Sequence, residues 1–413
     1  MLLADNSQLK ANNTNLQKMI DFKEAQRIII EHAKSFGSEY IALEDADGRI
    51  LAEDILADRD YPPFNRSAMD GYTFRFSDWQ VGIRNFHVQE IIYAGMQPSR
   101  SLEPGACFKI MTGAPVPAPA DVVIRREDST EENSVVSFNV TEIRQFQNIA
   151  KKGEDLQNKE IALRSNNICS PAIISTLATL GKAEISVRKL PSVAFFTTGN
   201  EVKSIYSAVS HSQIRNSNEW LIKSLLKKWL IKPALYKHIA DDPVELESNI
   251  HKATSYDILI MCGGVSAGDA DFVPEAMEKA GIKKLFHKVA IKPGKPFWCG
   301  LMPNGGLVFA LPGNPFSCIV TFKLFIEIYL SNSLGLRNST IQNLQFEGKR
   351  VKKSNLDEFF PVKIQGKPSK LQPTSINGSG DIRLGIDADG LAHHPKENPE
   401  LLPGVTLDFY SLL

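Results

Sequence analysis

Cysteine is scarce in this chain of 413 residues: there are five, at positions 107, 169, 262, 299 and 318, and no two form a CxxC pair. The eight histidines contain no HExxH. A zinc site built by the protein is therefore not expected, and the odd, scattered cysteines read as reduced thiols of a cytoplasmic protein. The adjacent His393 and His394 read as a surface pair. Net charge is lacking too. Forty-seven Lys and Arg balance forty-seven Asp and Glu, so nothing global points to nucleic acid or to an anionic membrane. Long apolar runs are missing: the longest, CIVTFKLFIEIYL, is interrupted by Lys323 and Glu327 and reads as a core helix, not a membrane span. The start, MLLADNSQLKANNTNLQ, has no basic segment followed by an apolar one, so it does not read as a signal peptide. No GxxxxGK[ST] occurs and no GxGxxG follows the first strand. A P-loop and a clear dinucleotide fold are thereby excluded.

What is present has the texture of a soluble chain of two to four domains. DFKEAQRIIIEHAKSF (21–36) predicts a helix, with Asp21 as cap, Glu24 completing a capping box and Gly37 after the end. From about 60 to 150, alternating runs (HVQEIIYAG, ACFKIM, DVVIRRE, SVVSFNV) sit between Pro/Gly turns and predict a small β domain. The four prolines of MTGAPVPAPAD make that stretch a loop. ICSPAIISTLATLG (168–181) predicts a helix with Pro171 in its first turn. From 190 to 331 strands and helices alternate: SVAFF, NEWLIKSLLKKWL, ALYKHIA, PVELESNIHKAT, DILIM, DFVPEAMEKA, KLFHKVAI, GLVFAL and PFSCIVTFKLFIEIYL. Such alternation predicts a mostly parallel, doubly wound α/β sheet covered on both faces. Residues 332–413 return to short β-like runs with NGSGD and DADG turns.

Polar motifs follow the predicted strands one after another: TTGNE, ADDP, CGGVSAGDAD, KPGKP and LPGNP. Ligands of an open parallel sheet bind at the carboxyl ends of its strands, so five such motifs on one edge describe one site. Gly263, Gly264 and Gly268 let the backbone approach an anion. Lys288, Lys292 and Lys295 add positive charge, the latter two in a proline-stiffened turn. Asp269 and Asp271 beside an anion suggest Mg²⁺, although Asp269 also suits a helix cap. These residues point to a phosphorylated ligand bound with a metal.

The ordered set DYPPFNRSAMDGYTFR (60–75), IMTGAPVP (110–117), KKGED (151–155), TTGNEV (197–202), GGVSAGDAD (263–271), AIKPGKPF (290–297) and LPGNPFSC (311–318) resembles the MoeA family of molybdopterin molybdenumtransferases, related to the gephyrin E domain. The resemblance runs from about residue 17 to 413. It implies an elongated linker domain (17–58 and 153–188), an inserted small β domain (59–152), a MogA-like α/β domain (189–331) and a C-terminal β-barrel-like domain (332–413). It implies a cytoplasmic homodimer that takes adenylylated molybdopterin and molybdate, uses Mg²⁺ and releases AMP. It implies contacts with the adenylyltransferase and with molybdoenzyme chaperones.

Carried over residue by residue, Asp271 is expected to aid cleavage of the adenylyl phosphate bond, and Lys292 and Lys295 to hold the molybdate dianion. Ser266, Gly263, Gly264, Ser317, Pro312, Pro315, Asp155, Lys288 and Ser379 are expected around the substrate. Arg383 follows Ser379 in the same segment. Asp70 and Thr112 are expected to face the partner subunit's cleft. Glu201, Asp241 and Asp269 are the expected metal ligands. Three positions depart from the family pattern: Asn200 where an acid is usual, Asn65-Arg66 ahead of Ser67, and Ala150 ahead of KKGED. They leave a non-catalytic or altered paralogue, acting as a molybdopterin-binding protein or scaffold, as the alternative. Adenylylation of molybdopterin by the α/β domain is a second enzymatic alternative.

Overall fold

The computed structural model describes residues 19–264, 273–336, 341–383 and 385–412. The chain divides into two compact units. One takes in the chain up to Ile41, Ala46–Ile50 and Ser186–Leu413; the other comprises Ala42–Asp45 and Leu51–Ile185. The first helix, α1 (Phe22–Glu31), belongs to the former. Asp21 caps it by accepting from the Lys23 N–H. Glu24 does not close a capping box but pairs with Arg27. The helix stops five residues short of the expected end, at a cap whose N–H returns to Ile29 and Ile30.

The second unit carries a six-stranded mixed sheet: β1 (Gly71–Phe74), β2 (Asn85–Ile92), β3 (Ala106–Ile110), β4 (Val122–Arg125), β5 (Ser129–Glu132) and β6 (Val135–Phe138), in the order β4-β1-β3-β2-β6-β5. Gly71 opens β1 between two neighbours, and a Cβ there would lie 1.9 Å from the Ile124 carbonyl oxygen. The sheet's inner side packs Phe74, Phe86 and Phe138 as an aromatic cluster with centroids 4.3–5.6 Å apart. Helix α2 (Pro171–Thr179) starts with Pro171 behind the Ser170 cap, as its sequence predicts.

The first unit contains a six-stranded sheet of β7 (Val193–Thr198), β8 (Leu235–Ile239), β9 (Ile258–Cys262), β10 (Lys283–His287), β12 (Trp298–Leu301) and β13 (Leu307–Leu311). A two-residue strand, β11 (Ile291–Lys292), lies outside that sheet. The order is β8-β7-β9-β13-β12-β10. The first four strands are parallel; β12 runs antiparallel to β13, and β10, antiparallel to β12, completes that edge. The sheet is thus mixed: WCGL forms a strand where none was expected, and KLFHKVAI breaks at Lys288, whose φ of 66° turns the chain. Both faces are covered, as near-continuous apolar strands require. Val193, Phe195, Ile258, Ile260 and Phe309 pack on one side with α1 and α3 (Ser217–Lys227). Ala194, Phe196, Leu259, Met261 and Val308 pack on the other with α4 (Pro243–Ala253) and α5 (Val273–Lys279). A long helical stretch follows β13: α6 (Pro315–Thr321), a π turn Phe322–Ile326 and α7 (Glu327–Ser333).

The C-terminal part of this unit contains a closed barrel. Strands β14 (Ile341–Phe346), β15 (Asp357–Gln365), β16 (Lys370–Pro373), β17 (Gly390–His394) and β18 (Thr406–Ser411) run in the order β15-β16-β14-β18-β17, and β17 pairs back to β15. Phe346, Phe360, Leu371 and Phe409 are among the residues filling it. The barrel is stitched to the α/β part by β11, which pairs in parallel with β15 at Asp357 and Glu358. The histidine pair expected at the surface lies in β17 and is buried. His393 bonds Asp357 at 2.8 Å, and its ring stacks on Phe359. His394 bonds Arg350 and the Asn398 carbonyl. Polar residues with such partners bury readily, which composition alone does not reveal.

Candidate active site

Register places the carboxyl ends of four strands side by side. Thr198 of β7 is level with Ile239 of β8, Thr197 with Cys262 of β9, and Cys262 with Leu311 of β13. The loops that leave these ends enclose a cleft of about 1000 Å³. Glu201, Asp241, Gly263, Gly264, Pro312 and Pro315 all line it. The TTGNE and ADDP loops are clasped to each other: the Asn200 N–H donates to Asp241 Oδ2 (3.0 Å), and the Asp241 N–H donates to Asn200 Oδ1 (3.2 Å). Asn200 keeps a loop-to-loop bond that an aspartate could also accept, while leaving out one negative charge. Asp242 is not a cleft residue. Its carboxylate caps α4 through the Val244 and Glu245 N–H groups.

Beneath these loops lies a buried polar network. Asn216, the cap of α3, donates to Thr197 Oγ1 at 2.9 Å and to the Tyr236 hydroxyl at 3.2 Å, and Thr197 Oγ1 is 3.0 Å from His238 Nδ1. Burial raises the Tyr236 phenol far above its ordinary range, so it stays a neutral hydrogen-bonding group. This network holds the ends of β7 and β8 against α3.

A second cleft, of about 510 Å³, opens where β11 meets the barrel. Lys292, Lys295, Ser317 and Ser379 line it, and it shares Pro296, Pro312 and Asn314 with the first. Its base is Glu358, only 3 % exposed. Glu358 is held by Arg350 (2.6 Å), Ser354 (2.7 Å) and Lys292 (3.3 Å). Burial pushes its carboxyl pKa up, but these partners outweigh burial and keep it below the usual range. Asn314 does not cap α6 with its side chain; it donates to Ser379 Oγ at 2.8 Å. That bond ties the LPGNP loop to the NGSGDIR segment, which is organised by Asp381 accepting from Asn377 and Arg383.

The other expected residues fall elsewhere. Lys288 sits in the left-handed turn before β11 and lines neither cleft. Arg383 pairs with Asp381 and is exposed. Asp70, Thr112 and Asp155 lie in the other compact unit. There Asp70 Oδ1 accepts from both the backbone N–H (2.6 Å) and the hydroxyl (2.7 Å) of Thr112, which hold its pKa below the usual carboxylate range. Asp155 is exposed and donates its N–H to the Tyr61 carbonyl. Ser266, Asp269 and Asp271 lie outside the described residues. Arg350 and Glu358 were not expected from sequence. They sit in a β-rich stretch with no motif around them. Thr198 was also missed, although a threonine pair closing an apolar strand just before glycine is a signal of a polar strand end.

Comparison with known proteins accords with this layout. A family profile described as the MoeA N-terminal region (domain I and II) matches residues 20–181, and one described as a probable molybdopterin binding domain matches 194–332. The molybdopterin molybdenumtransferase of Staphylococcus aureus is 34 % identical over 324 residues, 76 % of each chain. The chain belongs to the MoeA family. Another MoeA relative, the molybdopterin molybdenumtransferase of Synechocystis, is 29 % identical over 95 % of this chain and all of its own length. The crystal structure of the molybdopterin biosynthesis MoeA protein from Pyrococcus horikoshii superposes with a TM-score of 0.83 at 26 % identity, covering 95 % of this chain and 100 % of that one. The multi-domain α/β plus β architecture is the MoeA fold.

Proposed function

We propose that this chain inserts molybdenum from molybdate into adenylylated molybdopterin and releases AMP, as a step of molybdenum cofactor biosynthesis. One observation carries the proposal: two clefts adjoin through Pro296, Pro312 and Asn314, one at the carboxyl ends of the sheet strands and the other beside the barrel. The larger is lined by glycines, hydroxyls, the carboxylates of Glu201 and Asp241, and Arg215. The smaller presents Lys292 and Lys295. A reaction between a nucleotide-bearing substrate and a small dianion needs both environments within reach of each other.

Lys292 and Lys295 supply the charge that a tetrahedral dianion needs, and Ser317 adds a polar wall. Asn200 and Asp241 fix each other across the mouth of the nucleotide cleft. Glu201 and Asp241 offer hard oxygen donors that suit Mg²⁺. Bound there, Mg²⁺ would neutralise phosphate charge. Asp70, fixed by Thr112, serves a partner subunit's cleft in a homodimer, and the chain acts in the cytoplasm. The four-part division at 17–58 with 153–188, 59–152, 189–331 and 332–413 completes the proposal.

The test is to incubate the purified chain with adenylylated molybdopterin and Mg²⁺, with and without molybdate, and to follow AMP by chromatography. Molybdate-dependent release of AMP is expected. Consumption of ATP with free molybdopterin, without such release, would instead make the chain an adenylyltransferase.

A further inference from the structure

Thr198 ends β7 where the strand order reverses, with β8 on one side and β9 on the other. The residue is 8 % exposed, and its Oγ1 is buried without a hydrogen-bond partner among the described residues. Its neighbour Thr197 is fully engaged with Asn216 and His238. Buried hydroxyls are almost always satisfied, and one left open is a cost that a ligand can remove.

The surroundings indicate where that ligand group lies. A Cβ on Gly263 would stand 2.8 Å from Thr198 Oγ1, and one on Gly264 would stand 3.1 Å away. Both glycines have positive φ, 92° and 68°. A side chain at either position would crowd the hydroxyl, so only bare glycine backbone lies against it. Thr198, Gly263 and Gly264 all line the larger cleft. A group that accepts hydrogen bonds and approaches bare backbone closely suits this floor, and a phosphate oxygen has both properties. A planar base suits it less. The apolar lining that could flank a ring includes Ile214 and Ile382, which are 58 % and 89 % exposed and so belong to the rim.

We infer that the Thr198 hydroxyl donates to a phosphate oxygen of the bound nucleotide. The inference rests on the function proposed above. It makes Thr198 a binding residue beside the loop residues already named.

Calorimetry with AMP and with adenosine tests it, on the full chain and on Thr198→Val and Thr198→Ser. Thr198→Val keeps the shape and removes the hydroxyl. It should weaken AMP binding about tenfold, the worth of one hydrogen bond to a charged group. Adenosine affinity should stay within about twofold, and the melting temperature of the free protein should rise because an unpaired buried hydroxyl is gone. Thr198→Ser should keep AMP affinity within about threefold. AMP binding unchanged in Thr198→Val would overturn the inference while leaving the function standing. An equal loss for adenosine would overturn the phosphate assignment. A lower melting temperature in Thr198→Val would show that the hydroxyl has a structural partner, and would also overturn it. Failure of the unmodified chain to bind AMP would remove the functional proposal, and this inference with it.

Discussion

The two adjoining clefts share three residues, Pro296, Pro312 and Asn314, yet are built by different means. The larger is made by strand ends and βα loops. Its shape follows from register, glycines and a reciprocal backbone-to-side-chain clasp. The smaller is made by a proline-stiffened turn meeting a barrel strand. Its character comes from cations arranged over one buried carboxylate, Glu358. Backbone shape suits the larger ligand and fixed charge suits the smaller one. Glu358 also sets a limit on the charge: Lys292 and Arg350 are partly neutralised before any dianion arrives, so Lys295 carries a large share of the attraction.

This division is broken most strongly at the lysines. Replacing both in Lys292→Ala/Lys295→Ala removes two charged donors, and molybdate affinity should fall about a hundredfold, measured by calorimetry, with AMP affinity nearly unchanged. A smaller effect is expected in the other cleft. Asn200→Ala leaves the Asp241 N–H without its acceptor and loosens the clasp. AMP affinity should drop about fivefold, the worth of one neutral hydrogen bond, and molybdate affinity should hold. Asn200→Asp restores the acceptor and should recover much of the loss in the presence of Mg²⁺.

The smallest effect is one of pH, and it sharpens the contrast. His394 Nε2 faces the Asn398 carbonyl, which makes it the protonated nitrogen, and Nδ1 accepts from Arg350. The ring is therefore neutral, and its burial pushes its pKa down to about 4 from 6.5. Its contribution to stability is fully present above pH 6.5. It is lost as pH falls from 6.5 towards 4, because the unfolded chain takes up the proton first. Melting temperature should decline across that window, and His394→Gln should flatten the decline.

Much of this was legible in the sequence. VAFFTT, ILIMC and LVFAL are apolar on both faces, and only a sheet covered on both sides accommodates such strands. The motifs that follow them had to share an edge. The barrel's contribution was hidden. His393 and His394 read as a surface pair and Glu358 and Arg350 belong to no motif, because burial of a polar side chain depends on contacts distant in sequence. The strand Trp298–Leu301 was masked by the turn before it and by its central Cys-Gly. The early end of α1 at Glu31 reflects a local cap that the apolar periodicity does not encode.

The most direct test of the central claim is the rate of AMP release from adenylylated molybdopterin as molybdate is raised, for the unmodified chain and for Lys292→Ala/Lys295→Ala. Saturable, molybdate-dependent release in the former is predicted. In the variant, the same nucleotide affinity should be paired with release that no longer saturates over that range. Release independent of molybdate, or a variant that loses nucleotide and molybdate binding equally, would contradict a division of the two substrates between two clefts.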